Sequence, residues 1–257
     1  MATEIHPTAV VDPKAELGEG VQIGPYAVIR AGVQLGDGCV VHNHATLDGP
    51  SEFGPNNVFY SYSSIGQRSQ DLKYQGEPTW LRVGEGNTFR EFCTVNRATS
   101  PGDATVIGNH NYFLTYSHVG HDCVVGDHCI FSNNGTLGGH VVVGNHVIVS
   151  GLTAVHQFCR IGDHGFTGGC SKIVQDIPPF MIADGNPARV RAINVVGMQR
   201  RGFDEVAVRA AKRAHRKLYR DGVTTSVALA ELEKEDDPTG VYATIIDFVK
   251  SSERGIH

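Results

Sequence analysis

Histidine supplies most of the chemistry available to this chain, with thirteen imidazoles among 257 residues. Imidazole is the ordinary side chain that exchanges a proton near neutral pH, so a cluster of it suits general acid–base work or metal binding. Spacing separates two sets. His110, His128, His146 and His164 recur every 18 residues in nearly identical contexts, Ile-Gly-Asn-His, Val-Gly-Asp-His, Val-Gly-Asn-His and Ile-Gly-Asp-His. Such uniformity reads as turn chemistry, because Gly, Asn and Asp accept turn dihedrals; a ligand role is the alternative. His121, His140 and His156 lie 19 and 16 residues apart in dissimilar contexts, Gly-His-Asp, Gly-Gly-His and Val-His-Gln, with His118 just before them. Members that leave a repeat's pattern yet cluster in space point to proton transfer, with solvated turn histidines as the alternative.

Those spacings presuppose a repeat, and the chain carries one. An apolar residue stands at every sixth position from Ile5 through Val11, Leu17, Ile23, Ile29, Leu35, Val41 and Leu47 to Phe53. The series returns at Val83, Phe89 and Val95, then runs from Ile107 to Ile173 without a break. Four residues after each large residue stands a small one, such as Ala27, Val33 or Cys39. A period of six fits neither a helix nor a plain alternating strand. Each hexapeptide is read as a short strand and a turn, with Gly after many of the apolar residues to permit positive φ. Three units close a triangular coil of 18 residues, and coils stack at the ordinary strand spacing of roughly 4.8 Å. The stacked large and small residues form one continuous core column.

The repeat is interrupted near residues 66–80 and 97–105, loops ejected from a rigid scaffold and therefore either binding elements or tolerated insertions. It is expected to end near Ile177-Pro178-Pro179, where the prolines remove ladder donors. The first domain is placed at 1–190. Residues 191–257 read as a small helical domain: Asp204 as N-cap and Gly222 beyond the C-terminus frame a helix at about 205–220. A short helix is expected near 226–235, and Val241, Tyr242, Ile245, Ile246 and Val249 mark another.

Composition narrows the function. A net charge of −5 argues against a nucleic-acid partner. No apolar run approaches the roughly 20 residues of a transmembrane helix, and the N-terminus lacks a signal-peptide pattern. Cys39, Cys93, Cys123, Cys129 and Cys159 share the small inward position of the repeat, so they read as buried hydrophobes in a reducing, cytoplasmic setting rather than as disulfides.

Four motifs add a more selective signal: Gln70-Asp71-Leu72-Lys73-Tyr74, His118-Val119-Gly120-His121-Asp122-Cys123, Thr153-Ala154-Val155-His156-Gln157-Phe158 and Arg200-Arg201-Gly202-Phe203. With the repeat, they resemble the UDP-N-acetylglucosamine 3-O-acyltransferase family, whose reaction opens lipid A synthesis. The resemblance spans nearly the whole chain. It implies an all-β left-handed parallel β-helix with a C-terminal α-helical domain, assembled as a homotrimer with active sites between subunits. It implies transfer of a (3-hydroxy)acyl group from the phosphopantetheine of acyl carrier protein to the glucosamine 3-position of UDP-N-acetylglucosamine, with no metal and no further cofactor.

By the same resemblance His121 is the general base, Asp122 orients it, and the backbone N–H of Gly139 receives the oxyanion. His118, His140, His156 and Gln157 hold the sugar and diphosphate, with Gln70, Asp71 and Lys73 reaching in from a neighbouring subunit's loop. Asn194 and Arg200 match contacts to the nucleotide or the donor arm, and Gly169 the acyl-chain ruler. The chain departs from the pattern at Val196, where some relatives have an acidic residue.

Arg209, Lys212, Arg213, Arg216, Lys217 and Arg220 share one face of the expected tail helix. They form either a solvated basic face or a docking site for an acidic carrier protein. Three rival functions remain at this stage. A zinc hydratase of the γ-carbonic anhydrase type would use His121, His140 and His156 as ligands. An N-acyltransferase acting on acylated UDP-glucosamine would normally carry an extra N-terminal domain. A catalytically silent solenoid needs none of the motifs.

Overall fold

A computed structural model describes residues 2–256. Its strands, mostly two residues long, fall on three faces of a prism. The first face has eleven strands, from Glu4–Ile5 to Ala188–Ile193; the second nine, from Val10–Val11 to Lys172–Ile173; and the third eight, from Glu16–Leu17 to Arg160–Ile161. Successive coils pair in parallel, as in Thr94↔His118↔Thr136↔Ala154 on the second face. The whole is a left-handed parallel β-helix followed by helices.

The core is the column that the six-residue period demands. Phe59, Phe89, Phe113 and Phe131 are fully buried and stack with centroids 5.3, 4.9 and 4.8 Å apart. Phe59 and Ile65 carry the repeat past Phe53, so fewer coils are broken than the sequence series suggests. Buried Asn57, Asn87 and Asn111 occupy small inward positions, where each side-chain oxygen accepts a backbone N–H from the coil above at 2.7–2.9 Å; Nδ2 of Asn57 and of Asn87 donates to backbone carbonyls, whereas Nδ2 of Asn111 has no partner among the described residues.

The glycines serve a different purpose from the one expected. Positive φ does not fall on the glycine after the apolar residue but two positions later, on His110, His128, His146 and His164 (54–59°) and on Asp122 and His140 (61° and 60°). The preceding glycines are needed for close approach instead. A Cβ on Gly108 would lie 2.2 Å from Asp127 Oδ1 of the next coil, and one on Gly144 2.2 Å from Asp163 Oδ1.

The column also outlasts the two prolines. Met181–Gly185 adds a parallel strand beside Phe166–Thr167, and Ala188–Ile193 folds back on it antiparallel. Pro178 and Pro179 sit in the corner that feeds this hairpin, where no ladder donor is required, so they do not end the sheet. Four helices follow: α1 (Val195–Arg200), α2 (Glu205–Tyr219), α3 (Thr225–Leu232) and α4 (Val241–Lys250). The Asp204 side chain caps α2 by accepting from Ala207 N–H, and the five apolar residues expected to face inward on α4 are buried. Helix α1, capped by the side chain of Asn194, was not foreseen; at six residues it is too short for a periodicity signal.

Candidate active site

The edge joining the second and third faces collects most of the expected site. His118 opens a second-face strand, and residues 120–123 turn the corner. The register places His121 level with Gly139 and Gln157, and Asp122 level with His140 and Phe158, on successive coils. His121 Nδ1 lies 2.7 Å from Asp122 Oδ2, and the His140 ring stands edge-on to His121 at 5.2 Å while stacking on Phe158 at 4.6 Å. A carboxylate at Nδ1 fixes the tautomer in which Nε2 is the free base, and Nε2 makes no hydrogen bond among the described residues. His156 shares this edge but turns its Nδ1 to Gln157 O at 3.1 Å.

The same contacts shift the acidities of this edge. Burial would raise Asp122, but hydrogen bonds from His121 and Thr99 outweigh it and hold the carboxyl below its ordinary range. Burial, helped by the nearby His121, lowers His118, whose Nδ1 pairs with Thr94 Oγ1 at 2.7 Å. The Cys123 thiol, two residues from His121, is pushed up to about 12 by burial and is no nucleophile at neutral pH.

Both ejected loops leave from this same edge. They span residues 68–79 and 97–103, shorter than expected because the flanking strands Ser64–Gln67 and Trp80–Val83 claim the ends. Gln70 and Asp71 line a cavity of about 540 Å³ with Ser69, Tyr74 and Asn96. Lys73 N–H donates to Asp71 Oδ1 at 2.8 Å in the same loop. Through Ser69 and Thr99 this loop meets the His121 edge of its own chain.

The remaining candidates lie elsewhere. Asn194 and Arg200 sit on the edge between the third and first faces, where with Arg201, His128, His146 and His164 they line a cavity of about 400 Å³. The evenly spaced histidines are turn residues stacked 4.9–5.2 Å apart from His110 to His164, and all but His110 are also cavity walls. Their spacing signalled the turn; nothing in it signalled the cavity. Val196 lines the same cavity and is exposed. Gly169 occupies the third edge, over Gly151. On α2 most of the basic face is already paired: Arg209 with Glu205, Arg213 with Glu235, Arg216 with Asp221 and Lys217 with Glu231. Arg220 donates to Arg191 O.

One metal-capable group exists among the described residues. His121, Asp122 and His140 offer ligand atoms within 4.8 Å of one another. His156, expected as a third ligand in the zinc alternative, is not among them.

Comparison with known proteins decides the family. A family model described as UDP N-acetylglucosamine O-acyltransferase, domain 2, matches residues 176–257, and a bacterial transferase hexapeptide model matches residues 14–49 and 104–139. The acyl-[acyl-carrier-protein]–UDP-N-acetylglucosamine O-acyltransferase of Akkermansia muciniphila is 59% identical over 98% of both chains. The chain belongs to the acyl-[acyl-carrier-protein]–UDP-N-acetylglucosamine O-acyltransferase family. The enzyme of that name from Halorhodospira halophila is 44% identical over 99% of each chain. Among solved structures, the UDP-N-acetylglucosamine O-acyltransferase of Moraxella catarrhalis superposes with TM-score 0.94 at 39% identity over 98% of both chains. That of Bacteroides fragilis gives 0.95 at 36%, covering 98% of this chain and 99% of its own. Membership of this O-acyltransferase family extends to the helical tail, which the repeat alone would leave unassigned.

Proposed function

We propose that the chain transfers a (3-hydroxy)acyl group from acyl carrier protein to the 3-hydroxyl of UDP-N-acetylglucosamine, with His121 as general base. The observation that carries this is the His121–Asp122 pair at 2.7 Å on an edge shared with the Gln70–Lys73 loop, in a chain whose relatives bear that activity in their names. Nε2 of His121 takes the hydroxyl proton as the oxygen attacks the thioester carbonyl. Charge passes to the carbonyl oxygen, for which the backbone N–H of Gly139 is the donor. Collapse of the tetrahedral adduct breaks the C–S bond, and the thiolate recovers the proton from Nε2. Asp122 stays ionised and holds Nδ1–H throughout. His118, His140, His156, Gln157, Gln70, Asp71 and Lys73 bind the sugar nucleotide. No acyl-enzyme, metal or cofactor is required.

A single chain cannot assemble every part, because Asn194 and Arg200 on one edge and Gly169 on another stand apart from His121. A homotrimer with its sites between subunits supplies them from a second copy. Asn194 and Arg200 then bind the nucleotide or donor arm, and Gly169 sets the acyl length. No helix among the described residues is long and apolar enough to cross a membrane, and six unpaired cysteines suit a cytoplasmic setting. The helices that follow the Ala188–Ile193 strand dock acyl carrier protein.

The test is mass spectrometry of UDP-N-acetylglucosamine incubated with hydroxyacyl carrier proteins of several lengths. A single O-acylated product from the wild type and its loss, by about 10³-fold or more, in His121→Ala are expected. An active, folded His121→Ala enzyme would overturn the assignment.

A further inference from the structure

Thr99 lies in the second ejected loop, in none of the four motifs, yet it touches more of the site than any loop residue named so far. Its Oγ1 is 2.7 Å from Ser69 Oγ and 3.1 Å from His121 Nδ1, and its backbone N–H donates to Asp122 Oδ1 at 3.0 Å. Ser69 Oγ in turn accepts the N–H of Asp71 at 3.1 Å. Ser69 is only 6% exposed, whereas Thr99 is half-buried.

The chemistry of the partners fixes the directions. Because Asp122 is ionised, its Oδ2 accepts Nδ1–H of His121, and Nδ1 has no lone pair to offer Thr99. The Thr99 oxygen is therefore a second, weaker acceptor for Nδ1–H, and its own proton goes to Ser69. One continuous chain runs from the imidazole through Thr99 and Ser69 to the backbone of Asp71. Rigid flanks support it. Arg97, 7% exposed, donates from Nη1 to Gly66 O at 2.5 Å; Asn96 Nδ2 donates to Arg68 O at 2.8 Å, and Gly102 N–H to Pro78 O at 2.9 Å. The two loops are thus hydrogen-bonded to each other and to their flanks at several points.

We propose that Thr99 is a positioning residue that couples the sugar-nucleotide loop to the catalytic pair: its side chain sets the loop through Ser69 while its backbone sets the Asp122 carboxylate. The coupling rests on the assignment of His121 as base and of the Gln70–Lys73 loop as the sugar-nucleotide element. A donor that gains charge strengthens the bonds that point away from it, so Nδ1–H to Thr99 and Thr99 O–H to Ser69 tighten when His121 becomes imidazolium. Loop order and base orientation are then parts of a single event.

The experiment is a double-mutant cycle in the full-length protein, with UDP-N-acetylglucosamine and a hydroxyacyl carrier protein as substrates. Thr99→Val keeps the shape and the backbone N–H but removes the hydroxyl; Ser69→Ala removes the other end. Each is expected to lower kcat/KM for the sugar nucleotide by about tenfold, and the double variant by little more than either alone. Thr99→Ser restores the rate to within about twofold, melting temperatures stay level, and KM for the acyl donor does not change. Additive losses, no loss in Thr99→Val, an equal rise in KM for both substrates, or failure of the Ser variant would each overturn the coupling. His121→Ala run alongside separates the two levels. An active His121→Ala enzyme refutes the parent assignment, whereas a dead one beside an unimpaired Thr99→Val refutes only the role of Thr99.

Discussion

Gly139 lies directly against the His121 ring: a Cβ added to it would come within 2.4 Å of Cε1 and 2.5 Å of Nε2. The ring edge that must reach substrate is therefore the one that glycine leaves uncovered. Gly139→Ala should push the imidazole off its axis and lower kcat by about 100-fold, since misplacements near 1 Å cost that much. Steady-state kinetics beside a circular-dichroism melt checks it; a normal kcat would show that the ring need not hold this position.

Asp122 holds Nδ1–H and lies under His140 Nε2 at 3.6 Å. Asp122→Asn keeps the volume and removes the charge that fixes the tautomer. We expect kcat to drop by about 10²–10⁴-fold with KM for both substrates within a few-fold, by analogy with other carboxylate–imidazole pairs. Loss of binding with kcat preserved would assign Asp122 to substrate instead.

Burial holds His118, His146 and His164 below the ordinary histidine value. Their unfolded forms bind protons more readily, so protonation favours unfolding. Stability is full above the unfolded value, about 6.5, and falls as pH drops below it. Thermal melts from pH 8 to pH 5.5 should show this fall, and replacing His146 with Gln should flatten it. A flat profile in the wild type would contradict the burial assigned to these rings.

Phe89 stacks between Phe59 and Phe113 with no exposure. Phe89→Ala leaves a cavity in a column that cannot close, because each coil is hydrogen-bonded to both neighbours. A loss of about 3–5 kcal/mol is expected from denaturant unfolding. A loss below about 1 kcal/mol would mean the coils relax more freely than a rigid ladder allows.

The basic face of α2 is largely neutralised by acids of the tail itself, and only Lys212 of the six cations makes no ion pair or hydrogen bond among the described residues. Reversing Arg216 and Lys217 would break pairs with Asp221 and Glu231 as well as any docking contact. Lys212→Glu avoids that confusion. If acyl carrier protein docks here, its KM should rise several-fold at low salt and approach the wild-type value as salt screens the contact. An unchanged KM at low salt would move the docking site off this helix.

Sequence alone determined the column, because a six-residue period of large and small inward residues has few other ways to bury itself. It also marked His121 and its neighbours, whose contexts break the repeat that surrounds them. The tertiary structure decided what spacing cannot encode. It showed that glycine spacing answers close approach between coils rather than positive φ, since the clash at Gly108 comes from a residue 19 positions away. It placed Met181–Gly185 beyond two prolines, joined both loops through Thr99, and made a cavity wall of His128, His146 and His164. These relations arise between segments far apart in the chain, where hydrogen bonds and contact depend on how the coils stack, and a one-dimensional period carries no record of which edge a loop or helix finally meets.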